Sequence, residues 1–164
     1  MISIQPMAEE DHREIRTLEM LCIREYVELT IKKRWEDLDE RLRGELGASA
    51  EGSYKFYYST GLSFVAKEEG KIVGFIFAQM IPYINGAPLS VWIENIGVHP
   101  EHRRKGVAYQ LLRRVALEGK KKGAKVVHSS ISIENVRSIM LHKKLGFLMD
   151  TRKIAILDLS SNHS

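Results

Sequence analysis

The chain has 164 residues, 44% of them hydrophobic and 28% charged, with a formal net charge of +4. That balance describes one globular domain with a sizeable core, expected over residues 1–159 with a tail at 160–164, and excludes a low-complexity polymer. No apolar run reaches the ~20 residues that span a bilayer, the start Met1-Ile-Ser-Ile-Gln-Pro lacks a signal-peptide pattern, and the single Cys22 forms no internal disulfide, so a cytoplasmic protein without membrane contact is expected.

In chain order, Met1 to Ile4 alternates weakly and predicts a first strand. Ala8 to Leu29 places Ile15, Leu18, Leu21, Cys22 and Leu29 near the 3.6-residue repeat of a helix. Those apolar neighbours make Cys22 a structural thiol. A second helix is predicted from Lys32 to Leu46, stopped by Gly47, and a short aromatic helix holds Tyr54, Phe56, Tyr57 and Tyr58. Leu62 to Lys67 and Lys71 to Met80 read as a hairpin about Glu68-Glu69-Gly70, with a loop from Pro82 to Pro88. Ser90 to Val98 is a strand and a helix follows to Lys122. Lys125 to Ile133 is strand-like, and Glu134 to Leu145 is a helix closed by Gly146. Phe147 to Leu159 is expected to hold at least one strand, as a tight hairpin at Asp150-Thr151-Arg152 or as one long strand. The alternation of elements predicts a mixed sheet flanked by helices.

Charge is uneven along the chain. From His99 to Lys153, 14 Lys and Arg stand against 4 acids. No aromatic residue interleaves with the bases between Tyr109 and Phe147, and base-stacking platforms need such residues, so a small polyanion is favoured over nucleic acid. The stretch from Val98 to Ala108, Val-His-Pro-Glu-His-Arg-Arg-Lys-Gly-Val-Ala, follows a strand and opens a helix. Backbone amides at a helix start attract anions, and Gly106 lets the main chain approach a phosphate closely. The loop therefore suits the pyrophosphate of a nucleotide-bearing cofactor. His99, His102 and His128 make no metal motif, and no metal is expected.

Val98-x4-Arg103-x2-Gly106-x-Ala108 resembles the acetyl-coenzyme A signature of the GNAT superfamily of N-acetyltransferases. Asn135-x2-Ser138-x2-Leu141-His142-x3-Gly146-Phe147 is similar to a second family segment, with His142 where many members carry a tyrosine. The resemblance covers roughly Leu62 to Phe147. It implies a GNAT-like α/β (α+β) fold, whose mostly antiparallel mixed sheet is splayed between its fourth and fifth strands. Acetyl-coenzyme A would lie in that wedge as acyl donor, against Ile96, Gly97 and Val98. Its pyrophosphate would meet Arg103, Arg104, Lys105, Gly106, Val107 and Ala108, with Asn135, Ser138 and His142 beside the arm. Asn135 reads equally as a helix N-cap.

Acyl transfer to an amine needs a proton acceptor, because amines of pKa near 10 are charged at neutral pH. Glu94 is the candidate base, directly or through water. Strand alternation would set it on one face with Trp92, Ile96 and Val98. A solvated or paired strand residue is the other reading. By resemblance, the Ile96 amide would polarise the thioester oxygen. His142 would protonate the thiolate, if its pKa is raised, or hydrogen-bond the sulfur; it is also read as a bystander. Trp35, Tyr57, Tyr83 and Glu94 are the candidate acceptor-binding residues, for a small amine or polyamine or a protein N-terminus or lysine. The short C-terminal stretch leaves room for a homodimer partner to cover the site. A non-catalytic acetyl-coenzyme A sensor and a nucleic-acid-binding domain are the rival readings.

Overall fold

The computed structural model describes residues 1–47, 49–157 and 159. The first elements are strand β1 (Ile2–Pro6), helix α1 (His12–Tyr26), and the short helices α2 (Glu40–Leu46), α3 (Ser49–Gly52) and α4 (Tyr54–Tyr58). Strands β2 (Phe64–Glu68), β3 (Lys71–Ile84) and β4 (Ala87–Val98) follow, then helix α5 (Val107–Lys121), strand β5 (Val126–Ser129) and helix α6 (Val136–Leu145). The sheet runs β1-β2-β3-β4-β5, antiparallel throughout except for the parallel pair β4–β5.

Both sheet faces are covered, so the strands read as continuous apolar runs rather than alternating ones. Phe64, Ala66, Ile76 and Ala78 pack with Leu111, Leu112 and Val115 of α5. Val65, Phe75 and Phe77, of the opposite parity, pack with Ile15 and Leu18 of α1 and with Tyr54 and Tyr57 of α4. Gly74 is what lets α5 lie close, since a Cβ there would stand 3.0 Å from Val107. Asp11 anchors the start of α1, its carboxylate accepting from the Ala8 amide at 3.0 Å and from Lys67 Nζ at 2.9 Å.

Three expectations change. The helix predicted from Lys32 to Leu46 is broken: Lys32 is left-handed at φ 60°, Trp35–Asp37 is a single 3-10 turn, and only α2 is α-helical. Local side-chain bonds compete with the helix there. Arg34 Nε grips Asp37 at 2.9 Å, and Asp39 caps α2 by accepting from the Leu42 amide at 2.8 Å. The loop predicted from Pro82 to Pro88 is instead the end of a long hairpin. Asn85 and Gly86, at φ 51° and 78°, form a two-residue turn whose twist matches the strands.

At the C-terminus, residues 147–157 hold no strand among the described residues. The tight hairpin expected at Asp150-Thr151-Arg152 does not form: Asp150 accepts from the Arg152 amide at 2.8 Å, but no sheet edge pairs with the flanking residues. Leu148, Ile154, Ile156, Leu157 and Leu159 are consequently exposed. The predicted tail at 160–164 lies outside the described residues.

Candidate active site

β4 is the strand on which the site is built. Asn95 pairs with Phe77 and Ile93 pairs with Ala78, so Glu94 is an extra residue without a partner on β3, a β-bulge. Bulges re-aim side chains, and they gather next to active sites. This one corrects the predicted strand face: Ile93, Ile96 and Val98 pack with the α5 core, whereas Asn95 reaches α1 and Gly97 lies against Phe75 and Cys22. Glu94 keeps company with Trp92 but not with Ile96 or Val98. The Trp92 indole Nε1 donates to Glu94 Oε2 at 2.9 Å.

Burial, then the charge and acceptor oxygens of nearby Glu94, push the Tyr57 pKa up to about 12, so the phenol stays protonated at neutral pH. Gln79 Nε2 donates to the phenol oxygen at 3.3 Å. The exposed Glu94 carboxylate thus sits between the Trp92 indole and the Tyr57 phenol, open to solvent. Of the other candidates for acceptor binding, the structure does not bring Trp35 or Tyr83 there. Trp35 packs with Ile23, Val27 and Leu38 under Arg43, and exposed Tyr83 lies five residues along β3 from Ala78, about 17 Å away. The acids of that region are engaged elsewhere, Glu36 with Arg24, Asp37 with Arg34 and Asp39 as a cap.

The seam between β4 and β5 opens next to the bulge. Pairing runs from Ser90–Val126 to Ile93–Ser129 and stops, so β4 from Glu94 onward has no partner on that side. β5 is shorter than the predicted strand from Lys125 to Ile133. The chain leaves the sheet at Ser130 and returns as α6, capped by Asn135, whose Oδ1 accepts from the Ser138 amide at 3.2 Å.

The wedge leads to the Arg-rich loop. Gly106 is left-handed at φ 79° and begins α5 with no side-chain cap and no acid in the first turn. Among the described residues, the amides of Gly106, Val107 and Ala108 donate no backbone hydrogen bond of normal geometry. A Cβ at Gly106 would meet nothing nearer than Gln110 at 4.0 Å, so the approach is open. Unfilled amides on a 15-residue helix, with exposed Arg104 and Lys105 beside them, fit a diphosphate. The Arg103 side chain is turned away from it: Nε donates to the Val98 carbonyl at 3.2 Å and Nη1 pairs with Glu25. The Val98 carbonyl, which also receives the Cys22 thiol at 3.6 Å, is therefore occupied within the protein. Burial pushes the Cys22 pKa up, in keeping with a structural thiol.

His142 is buried behind the β5 side of the wedge, edge-on to Phe147. Nδ1 lies 2.7 Å from the Ser138 carbonyl and so carries the proton, which leaves Nε2 to accept from Ser129 Oγ at 3.2 Å. Burial lowers the His142 pKa against the opposing effect of that carbonyl, the reverse of the raised value that an imidazolium acid requires. His128 bonds Ser90 and His102 bonds Glu68 at 2.8 Å. Among the described residues, no group of three or more His, Cys, Asp and Glu is arranged to hold a metal ion.

The family model described as "Protein of unknown function (DUF1999)" matches residues 3–164. The chain belongs to the DUF1999 family. An aminoglycoside N(6')-acetyltransferase type 1 of Salmonella typhimurium is 40% identical over 88 residues, which are 52% of this chain and 61% of the relative. The DUF1999 chain thus spans less than two thirds of that relative's length. An enzyme of the same description from Acinetobacter haemolyticus is 29% identical over 74% of this chain and 87% of its own. Among solved structures, AAC(6')-Iy in complex with the bisubstrate analog CoA-S-monomethyl-acetylneamine superimposes with a TM-score of 0.69 at 26% identity, over 96% of this chain and 98% of that one. These likenesses make this DUF1999 chain a GNAT-superfamily protein, with the splay between the fourth and fifth strands that its motifs imply.

Residues without a sequence signature complete the site. Trp92 and Gln79 supply donors, and Glu19 braces the bulge from α1 by accepting from Asn95 on β4. Only Glu19 left a trace in the sequence: with Ile15 and Ile23 four residues to either side, it is a charge on the buried stripe of a helix.

Proposed function

We propose that this chain, as one catalytic domain over residues 1–159, transfers the acetyl group of acetyl-coenzyme A to a primary amine by direct attack in a ternary complex. One observation carries the reading: a strand opened at a bulge presents a solvent-facing carboxylate, Glu94, at the mouth of a wedge that ends in unfilled helix-start amides. The relatives named as acetyltransferases, and the neighbour bound to a coenzyme A conjugate, support acetyl-coenzyme A as donor.

Gly106, Val107 and Ala108 hold the diphosphate through main-chain amides, with Arg104 and Lys105 adding charge. Arg103 acts on the loop instead, locking it to Val98 and Glu25. Glu94 accepts a proton from the incoming ammonium, directly or through water, and Trp92 fixes its orientation by donating to it. The Ile96 amide polarises the thioester carbonyl, a preorganised donor of a kind worth several kcal/mol at a transition state. Neutral His142 orients the Ser129 hydroxyl on the far side of the wedge, and the departing thiolate takes its proton from water. Ser138 and Asn135 set the start of α6.

The acceptor is an unhindered primary amine on a small polar molecule, an amino sugar of the kind the relatives are named for or a polyamine; a peptide N-terminus or lysine is the other class. The exposed apolar C-terminal residues support a homodimer in which a second copy covers them. No helix among the described residues is long and apolar enough to cross a membrane, and the reading is of a cytoplasmic enzyme. Calorimetry with coenzyme A followed by thiol release over a panel of amines tests it. Micromolar binding with release by one amine class supports the proposal, and absence of both on folded protein refutes it.

A further inference from the structure

The mechanism proposed above leaves unused a carboxylate that is more deeply buried than any other in the site. Glu19, in the middle of α1, is 1% exposed. Its two oxygens go to different places. Oε1 accepts from the Ala50 amide at 2.9 Å, and Oε2 accepts from Asn95 Nδ2 at 2.8 Å. Ala50 belongs to α3, whose next neighbour α4 carries Tyr57. Asn95 is the residue that resumes the β3–β4 ladder immediately after Glu94.

One carboxylate therefore joins the two walls that meet at Glu94, the bulged strand and the aromatic segment. His12 adds a second tie on the helical side, Nε2 lying 2.7 Å from the Ala50 carbonyl while its ring stacks on Tyr54. On the strand side, Asn95 has the only side chain of the bulge that reaches α1 through a described hydrogen bond. Burying an ionised carboxylate costs several kcal/mol unless it is fully bonded, so such a group persists where its bonds fix geometry.

We propose that Glu19 is a positioning residue for the acceptor site: through Asn95 and the Ala50 amide it sets the Glu94 bulge against Tyr57, and so aligns the base with the amine. The proposal rests on the acetyltransferase reading for its kinetic consequence but not for its structural one. Acetyl-coenzyme A is held chiefly by the diphosphate loop beyond Val98, which the tie does not touch, so its affinity does not depend on the tie.

The test exchanges the partners. Asn95→Asp places a carboxylate against Glu19 and breaks the bond by like-charge repulsion. The double variant Asn95→Asp/Glu19→Gln restores it, with the Gln amide donating to the new carboxylate and its oxygen accepting from Ala50. In Asn95→Asp, kcat/KM for the amine falls roughly ten- to hundredfold. The coenzyme A dissociation constant stays as in the wild type, and the double variant recovers to within about threefold. A second readout needs no turnover. The Trp92 indole N–H chemical shift, assigned with Trp92→Phe, reports its hydrogen bond to Glu94. That shift moves in Asn95→Asp and is wild-type in the double variant.

Unchanged kinetics and an unchanged indole chemical shift in Asn95→Asp overturn the proposal, as does a double variant that fails to fold or to recover. Should the wild type show no amine transfer, the acetyltransferase reading falls, and the indole chemical shift alone decides whether Glu19 positions the bulge.

Discussion

The indole nitrogen of Trp92 stands 2.9 Å from Glu94 Oε2, so two residues of one strand with a single residue between them meet head to head. They share a face of β4 by alternation, and the bulge at Glu94 sends Ile96 and Val98 to the other one. The carboxylate is fixed by the indole and faces the Tyr57 phenol, while remaining open to solvent. A base that must take a proton from an ammonium needs that combination of orientation and access.

Tyr57 reports on this arrangement. Glu94 raises its pKa both through charge and as hydrogen-bond acceptor, in addition to the larger effect of burial. Glu94→Gln is expected to move the Tyr57 titration down from about 12, and Tyr57→Phe to delete it. Ultraviolet titration of phenolate absorbance checks both, and an unaltered curve in Glu94→Gln would separate the two groups.

Gly106 is the second point of leverage. At φ 79° any other residue is strained, by about 1–2 kcal/mol for an L side chain in that region. A valine there also stands over the amides that hold the diphosphate. Gly106→Val should weaken coenzyme A binding at least about tenfold, read by calorimetry, while thermal unfolding shifts by only a few degrees.

His142 sets an acid limit on stability. Its pKa in the folded protein lies below the unfolded value of 6.5, because burial disfavours the charged ring. Between the two values the unfolded chain binds more protons, so stability rises with pH there and is lost as pH falls below about 6.5. Chemical denaturation at pH 7.5 and 5.5 should show a larger loss for the wild type than for His142→Phe. Equal losses would mean that the ring is not held neutral.

The exposed apolar C-terminus predicts association. Removal of residues 153–164 should turn a dimer into a monomer by light scattering, and a full-length chain that is monomeric at all concentrations would contradict the proposal.

Much of this was legible in the residues because it depends on local rules. The left-handed glycine opening α5, the Asn135 cap and the apolar strands each follow from short-range chemistry, and the motif spacing carries the splayed fold. The bulge was not legible. Strict alternation assigned Glu94, Ile96 and Val98 to one face, and a single inserted residue reversed the last two, since a one-residue slip flips every later side chain. Trp35 and Tyr83 were drawn into the site by residue type alone, whereas packing sends one to a separate core and the other to a hairpin tip. The helix expected from Lys32 failed because Asp37 and Asp39 offered the backbone and Arg34 competing bonds. The Glu19–Asn95 contact joins residues 76 apart, and no periodicity encodes such a pairing.

The most direct test compares amine-dependent release of coenzyme A thiol by the wild type and by Glu94→Gln, with donor saturating and affinity checked by calorimetry. The account predicts wild-type turnover that falls about 10²–10⁴-fold in the variant at neutral pH, with coenzyme A binding intact. Equal turnover in the two proteins would contradict the role given to Glu94, and a wild type that neither binds coenzyme A nor releases its thiol would contradict the whole.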